Sequence, residues 1–149
     1  MSDYPQANSL SQIATSNKVN SAGLDADESK QLALTVAAAG ADRKAGDIIL
    51  LHVAEVSYLA EYFVLMTGYS RVQVRAITQA IEEKVQKECH RSPLRTEGKS
   101  EGTWVLQDYG DVLVHIMMPT EREFYNLEAF WGHAERIDPA EASDGRITK

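Results

Sequence analysis

Apolar residues recur along this chain in two rhythms. After Asp47 comes the unbroken run Ile48-Ile49-Leu50-Leu51-His52-Val53, and further on Tyr62-Phe63-Val64-Leu65-Met66. Runs of this length without polar alternation predict strands buried on both faces. From Arg71 the rhythm changes: Val74, Ile77, Ile81 and Val85 recur at helical spacing, with Ser70 placed to cap the helix. Glu83 and Lys87 are spaced to pair across one turn of it. Upstream, Asp25 and Glu28 have the spacing of an N-cap and its N3 partner. They predict a helix to about Ala39, with Leu32 and Val36 inward and Gly40 as its stop. Residues 57–60 read as a loop or a single helical turn, and 90–101, with Pro93 and Gly98, as a loop.

Two β-favouring runs, 103–107 and 112–118, flank Asp108-Tyr109-Gly110-Asp111, which has the residue types of a tight turn. Pro119 ends the second run. Thr120 and Glu123 have capping-box spacing, and Phe124, Leu127 and Trp131 mark the inner face of a last helix that Gly132 should stop. The order is helix, strand, strand, helix, strand, strand, helix. It predicts an α/β (α+β) fold, a mixed β-sheet with flanking helices. Residues 1–26, rich in Ser, Asn, Gln and Ala, read as a flexible extension, 27–137 as the domain and 138–149 as a flexible tail.

Composition narrows the function. The 149 residues suit one domain, and 44% hydrophobic content suffices for one core. A formal charge of −7 makes a poor general binder of phosphate backbones, so direct sequence-specific nucleic-acid binding is not expected. The same charge favours a basic protein partner. The one cysteine, Cys89, rules out an internal disulfide and fits a reducing compartment. It reads as a packing residue, since no His–acid pattern accompanies it. No apolar run reaches the ~18 residues of a membrane span. Residues 1–26 carry one Lys and no Arg, unlike a secretory signal or an Arg-rich transit peptide. A cytoplasmic, bacterial location is expected, with an organellar one less favoured.

Strand, then Gly68-Tyr69-Ser70, then helix is the layout of a phosphate site at a helix N-terminus. There is no Walker lysine and only one of the three glycines of a dinucleotide fingerprint. The layout does match the Gly-Ser turn of nucleotidyltransferases, whose two metal ions need carboxylates on a nearby strand. Asp108 and Asp111 are the acids on offer, but residues three apart do not share a strand face. Turn acids, with Gly110 supplying a positive φ, are the better account. His115 is a lone strand histidine; pairing it with His52 for a metal is weakly supported. Alternation puts Trp104 and Leu106 on one face and Thr103, Val105 and Gln107 on the other. The residues alone leave Trp104, Tyr109, Met117 and Met118 open between core and interface.

From about Asp42 to Trp131 the chain closely resembles the ribosomal silencing factor family, RsfS or Iojap. The resemblance is carried by Tyr62-Phe63-Val64, Thr67-Gly68-Tyr69-Ser70, Gln73-Val74-Arg75-Ala76-Ile77 and Glu97-Gly98. It continues through Gly102-Thr103-Trp104-Val105-Leu106, Asp108-Tyr109-Gly110-Asp111-Val112, Val114-His115 and Arg122-Glu123-Phe124-Tyr125-Asn126-Leu127-Glu128. It implies a nucleotidyltransferase-like fold without catalysis, cofactor or metal. It also implies binding to a basic protein on the large subunit's face toward the small subunit, which blocks subunit joining and represses translation when nutrients are short. Relatives act in mitochondria and chloroplasts. Carried over, the partner surface falls on Trp104, Asp108, Tyr109, Asp111, His115 and Met117, with Arg75 and Tyr125 in addition. Trp104 is then expected as an anchor and Asp111 as a rim charge. The alternative from a different class is a nucleotidyltransferase-type enzyme. A surface kept for a partner also leaves a homodimer open when the chain is free.

Overall fold

In a computed structural model, residues 26–54 and 60–139 are described; the extension 1–25, the segment 55–59 and the tail 140–149 lie outside them. The reading for 57–60, except at Ala60, and most of those for the two ends, including Asp25 as an N-cap, therefore fall outside the described residues. Ten elements follow: α1 (Ala26–Asp42), β1 (Gly46–His52), β2 (Tyr62–Thr67), α2 (Arg71–Cys89), β3 (Arg95–Glu97), β4 (Trp104–Asp108), β5 (Val112–Met117), α3 (Pro119–Tyr125), α4 (Leu127–Phe130) and β6 (Glu135–Ile137). The strands form one mixed sheet in the order β3-β4-β5-β2-β1-β6. Among the described residues only the β2–β5 pairing is parallel, with Tyr62 opposite Val112 and Thr67 opposite Met117. The other four pairings are antiparallel. The expected α/β mixed sheet with flanking helices is the architecture found.

β2 is buried along its whole length, because it lies inside the sheet and both of its faces are covered. Val64 and Met66 face α1 and α2, joining Leu32, Val36, Val74, Ile77, Ile81 and Val85. Each such side chain contributes roughly 1.5–3 kcal/mol when removed from water. Phe63 and Leu65 face the other way, into a smaller cluster with Leu51 that Leu113, Leu127 and Trp131 border. Long helices thus cover one face, while among the described residues the opposite face has only the short α3–α4 segment beside it.

Several local expectations change. β1 is buried on both faces only in its second half; Ile48 and Ile49 are partly exposed next to a pairing irregularity, where Asp47 takes φ 46°. α1 passes through Gly40 to Asp42, and the chain reverses at Lys44, φ 64°. Gly40 instead permits close approach, since a Cβ there would sit 2.5 Å from Met66 Sδ. On α2, Lys84 pairs with Glu88, while Glu83 accepts from Gln79. The loop expected over 90–101 contains β3, and β6 follows Gly132. Thr120 and Glu123 form no capping box: Met118 is the N-cap of α3, makes no side-chain cap bond, and is followed by Pro119. The last helix breaks at Asn126, φ 45°, which leaves Phe124 76% exposed while Leu127 and Trp131 turn inward.

Candidate functional site

The β4–β5 hairpin is built from its turn outward. Asp108 Oδ1 accepts from the Gly110 amide at 2.8 Å, Gly110 takes φ 91°, and the Tyr109 amide donates to Val112 O. Only a residue without Cβ adopts that φ cheaply, as expected for Gly110. Asp108 keeps part of its carboxylate in solvent, 3.4 Å from Arg95 Nε on β3.

Four of the expected partner residues lie inside the protein: Tyr109, Asp111 and Met117 fully, and His115 nearly so. Tyr109 is 1% exposed, and its hydroxyl has no hydrogen-bond partner among the described residues. Burial pushes that hydroxyl's pKa up, Glu82 adds to the rise and Arg91 opposes it. Met117 is fully buried. Asp111, 1% exposed, is no rim charge. Arg91 Nη1 and Nη2 donate to its two carboxylate oxygens at 3.1 and 2.7 Å, and Ser29 Oγ donates to Oδ2. Arg91 also donates to Tyr109 O at 2.6 Å. The hydrogen bond to Asp111 outweighs desolvation and holds the Arg91 proton more firmly than usual. The Asp111 carbonyl takes the amides of Glu61 and Tyr62, fastening the hairpin to the start of β2.

The remaining candidates surround the sparsely covered sheet face. The Trp104 indole N–H donates to His115 Nδ1 at 3.2 Å, so that nitrogen is an acceptor. His115 is 8% exposed; desolvation, then the charge of Arg122, push its pKa down to about 4. Its ring meets Phe63 edge-on and Trp104 at a tilt. Trp104 is half-buried, and its far side meets Tyr125 with ring centroids 4.7 Å apart; Tyr125 in turn meets Phe124 at 4.9 Å. Trp104, Phe124 and Tyr125, with Glu101 and Glu121, line a groove of about 430 Å³. Arg75, exposed on α2, donates to the carbonyls of Lys99 and Ser100 in the turn before β4.

One residue that sequence reasoning missed holds this arrangement. Arg122, 8% exposed, donates to Thr67 Oγ1 on β2, to Asp47 O on β1 and to Glu128 on α4. It pins α3–α4 to the sheet and so positions Tyr125. Its immediate neighbours, Glu121 and Glu123, give it the look of a surface charge, so no local signal marked it as buried.

The enzyme alternative needed the Gly68–Ser70 turn beside Asp108 and Asp111. The structure puts them at opposite ends of the sheet. The Gly68 amide bonds to Met117 O beyond the end of β2, whereas Asp111 lies at its start. Six strand residues separate them, on the order of 17–20 Å. The chain's own groups also occupy the turn: Ser70 Oγ accepts from Gln73 N, and Gln73 Oε1 accepts from Tyr69 N. His52 does not join His115. It bonds Glu61 at 2.7 Å, lies 3.5 Å from Glu135 and stacks on Tyr62. Cys89 Sγ donates to Thr35 Oγ1, consistent with a packing role.

Residues 26–149 match the family described as "Ribosomal silencing factor during starvation". The chain is 38% identical over 109 residues to the ribosomal silencing factor RsfS of Bacillus subtilis, covering 73% of this chain and 92% of that protein. It is 35% identical over 126 residues to the chloroplastic protein Iojap of Arabidopsis thaliana, covering 84% of this chain but 52% of that one, so it spans about half the plant relative's length. A crystal structure of a Chromobacterium violaceum protein is similar at TM-score 0.65 and 37% identity, covering 73% of this chain and 88% of that one. The order of strands and the hairpin that carries the aromatic face therefore belong to a recognisable lineage. The chain is a member of the ribosomal silencing factor (RsfS/Iojap) family.

Proposed function

We propose that this protein binds the large ribosomal subunit through a basic ribosomal protein on the face that meets the small subunit, and represses translation under nutrient limitation by blocking subunit joining. The observation that carries this is the Trp104–Tyr125–Phe124 surface flanked by Glu101 and Glu121. An aromatic centre with a charged rim is the composition of a protein-docking surface, and its acids suit a basic partner. Family membership directs that surface to the ribosome. A Mus musculus relative, 30% identical over 89 residues, is named "Mitochondrial assembly of ribosomal large subunit protein 1". In this proposal Trp104, Tyr125 and Asp108, which keep exposed surface, touch the partner and Arg75 lies at its edge, while His115 orients the indole and the buried Tyr109, Asp111 and Met117 hold the hairpin behind them.

Sedimentation with separated subunits tests the reading. The chain should travel with the large subunit and not the small one. Trp104→Ala, truncating an anchor, should weaken binding by about 2 kcal/mol or more and let subunits join where the parent keeps them apart. A melting curve for the variant separates lost docking from lost folding. Equal binding to both subunits overturns the proposal.

A further inference from the structure

The ion pairs among the described residues engage Lys84, Arg91, Arg95, Lys99 and Arg122. Arg43, Lys44, Arg71 and Arg75 belong to none of them, and all four are exposed. They also converge. Gln73 Nε2 donates to the carbonyls of Arg43 and Lys44 at 3.0 and 3.1 Å, which holds the turn after α1 against the first two turns of α2, where Arg71 and Arg75 stand. Lys87 and Arg136, likewise outside those pairs, lie elsewhere, at the end of α2 and on β6. Asp42 and Asp47 are the acids nearest in sequence, and neither pairs with the four. In a chain of formal charge −7, this is a concentration of exposed cations that form no ion pair among the described residues; Arg75 alone has side-chain hydrogen bonds, to the Lys99 and Ser100 carbonyls.

Two local preferences are overridden there. The first turn of α2 contains no acid and begins with Arg71, although a helix N-terminus favours negative charge. Lys44 takes φ 64°, a conformation that suits glycine or asparagine better. Departures of this kind are expected where function, not folding, selects the residue. The exposed Tyr69 and Val72 border the same turn.

We infer that this patch contacts the phosphate backbone of RNA, without reading bases, while the aromatic face engages protein; the inference rests on the ribosome-binding reading above. The placement supports it. A Cβ on Gly102 would meet Arg71 Cβ and Arg75 at 3.4 Å, and Gly102 is two residues from Trp104. The cations and the aromatic groove thus flank one turn at one end of the sheet. A ribosomal protein is embedded in RNA, so a chain docked on it meets phosphates beside it. Cations neutralising phosphates release counterions and make binding salt-dependent.

The test compares the parent with a triple Arg43→Gln, Lys44→Gln, Arg71→Gln variant, leaving Arg75 to hold its turn. Binding to purified large subunits is measured by anisotropy from 50 to 200 mM salt. Each lost phosphate contact should flatten the slope of log K against log salt by about 0.9, so the variant should lose roughly 40-fold less affinity than the parent across that range. A short RNA duplex should compete with the parent at low salt, and polyglutamate should not. Equal slopes for the two proteins, or polyglutamate competing as well as RNA, overturn the inference and leave the docking proposal standing. If the parent binds no large subunit at any salt, the docking proposal fails, and direct titration with the duplex decides the patch. Binding by the parent but not the variant supports it; binding by neither overturns it.

Discussion

A carboxylate removed from water is tolerated where cations and donors surround it, and at Asp111 they are supplied by Arg91 and Ser29. Breaking such a pair from one side leaves the other charge unmatched, which costs about 3 kcal/mol or more when both are buried and less where one keeps some water, as Arg91 does. Asp111→Ala should therefore lower unfolding free energy by about 2–3 kcal/mol in urea titrations, and Asp111→Lys should fail to fold; a loss below about 0.5 kcal/mol would return Asp111 to the surface role. His115 gives a second prediction. Its folded pKa, about 4, lies below its unfolded value near 6.5. The unfolded chain therefore binds the proton first. The stability that neutral His115 contributes is complete above about pH 6.5 and declines as pH falls toward 4, by up to about 3 kcal/mol. His115→Gln should flatten stability against pH in that window, and an unchanged acid limb would contradict the buried neutral imidazole.

At the scale of elements, Arg122 joins α3–α4 to β1 and β2 through three separate acceptors. Arg122→Met keeps much of the stem but leaves Thr67 and Glu128 without their donor. It should destabilise by about 2–4 kcal/mol and disturb the near-ultraviolet signal of Trp104 and Tyr125 before the fold is lost. The elements legible from sequence were those whose periodicity is local: the run at 62–66, the stripe from Val74 to Val85 and the Ser70 cap. β3 and β6 were not legible, because three-residue polar strands such as Arg95–Glu97 owe their structure to a neighbour's free edge rather than to their own pattern. The reading of Thr120 and Glu123 failed because Pro119 already occupies N1 and makes Met118 the cap. In the site, the turn residues marked the hairpin, but Tyr109 and Met117 proved to be core and Asp111, read as a surface acid, is buried. Its partners lie 20 and 82 residues away, beyond the reach of any local pattern.

For the whole molecule, the sheet separates roles by its two faces and two ends. Helices seal one face, and the other presents aromatics and acids. The Gly68–Ser70 turn and the Asp108–Asp111 turn stand at opposite ends of the parallel pair. ATP with Mg²⁺ should therefore leave the melting temperature unchanged, whereas a true substrate at a hundred times its dissociation constant would stabilise by about 2.7 kcal/mol. A reproducible upward shift would reopen the enzyme reading.

The contacts of Asp111 join residues 29, 61, 62, 91 and 111, and so impose an order in time as well as in space. A nascent chain that has emerged only as far as residue 100 already contains α1, the β1–β2 pair and α2. It lacks the strand on which β2 lies in parallel and the carboxylate that receives Arg91. Local hairpins close in microseconds, but this junction must wait for distant segments to meet. During its own synthesis the protein would thus remain unlocked until the hairpin that carries Trp104 is out, so that the aromatic face proposed for docking and the completed fold arrive together. Asp111→Asn should then mainly quicken unfolding and leave the folding rate nearly unchanged, as expected of a contact made after the rate-limiting step.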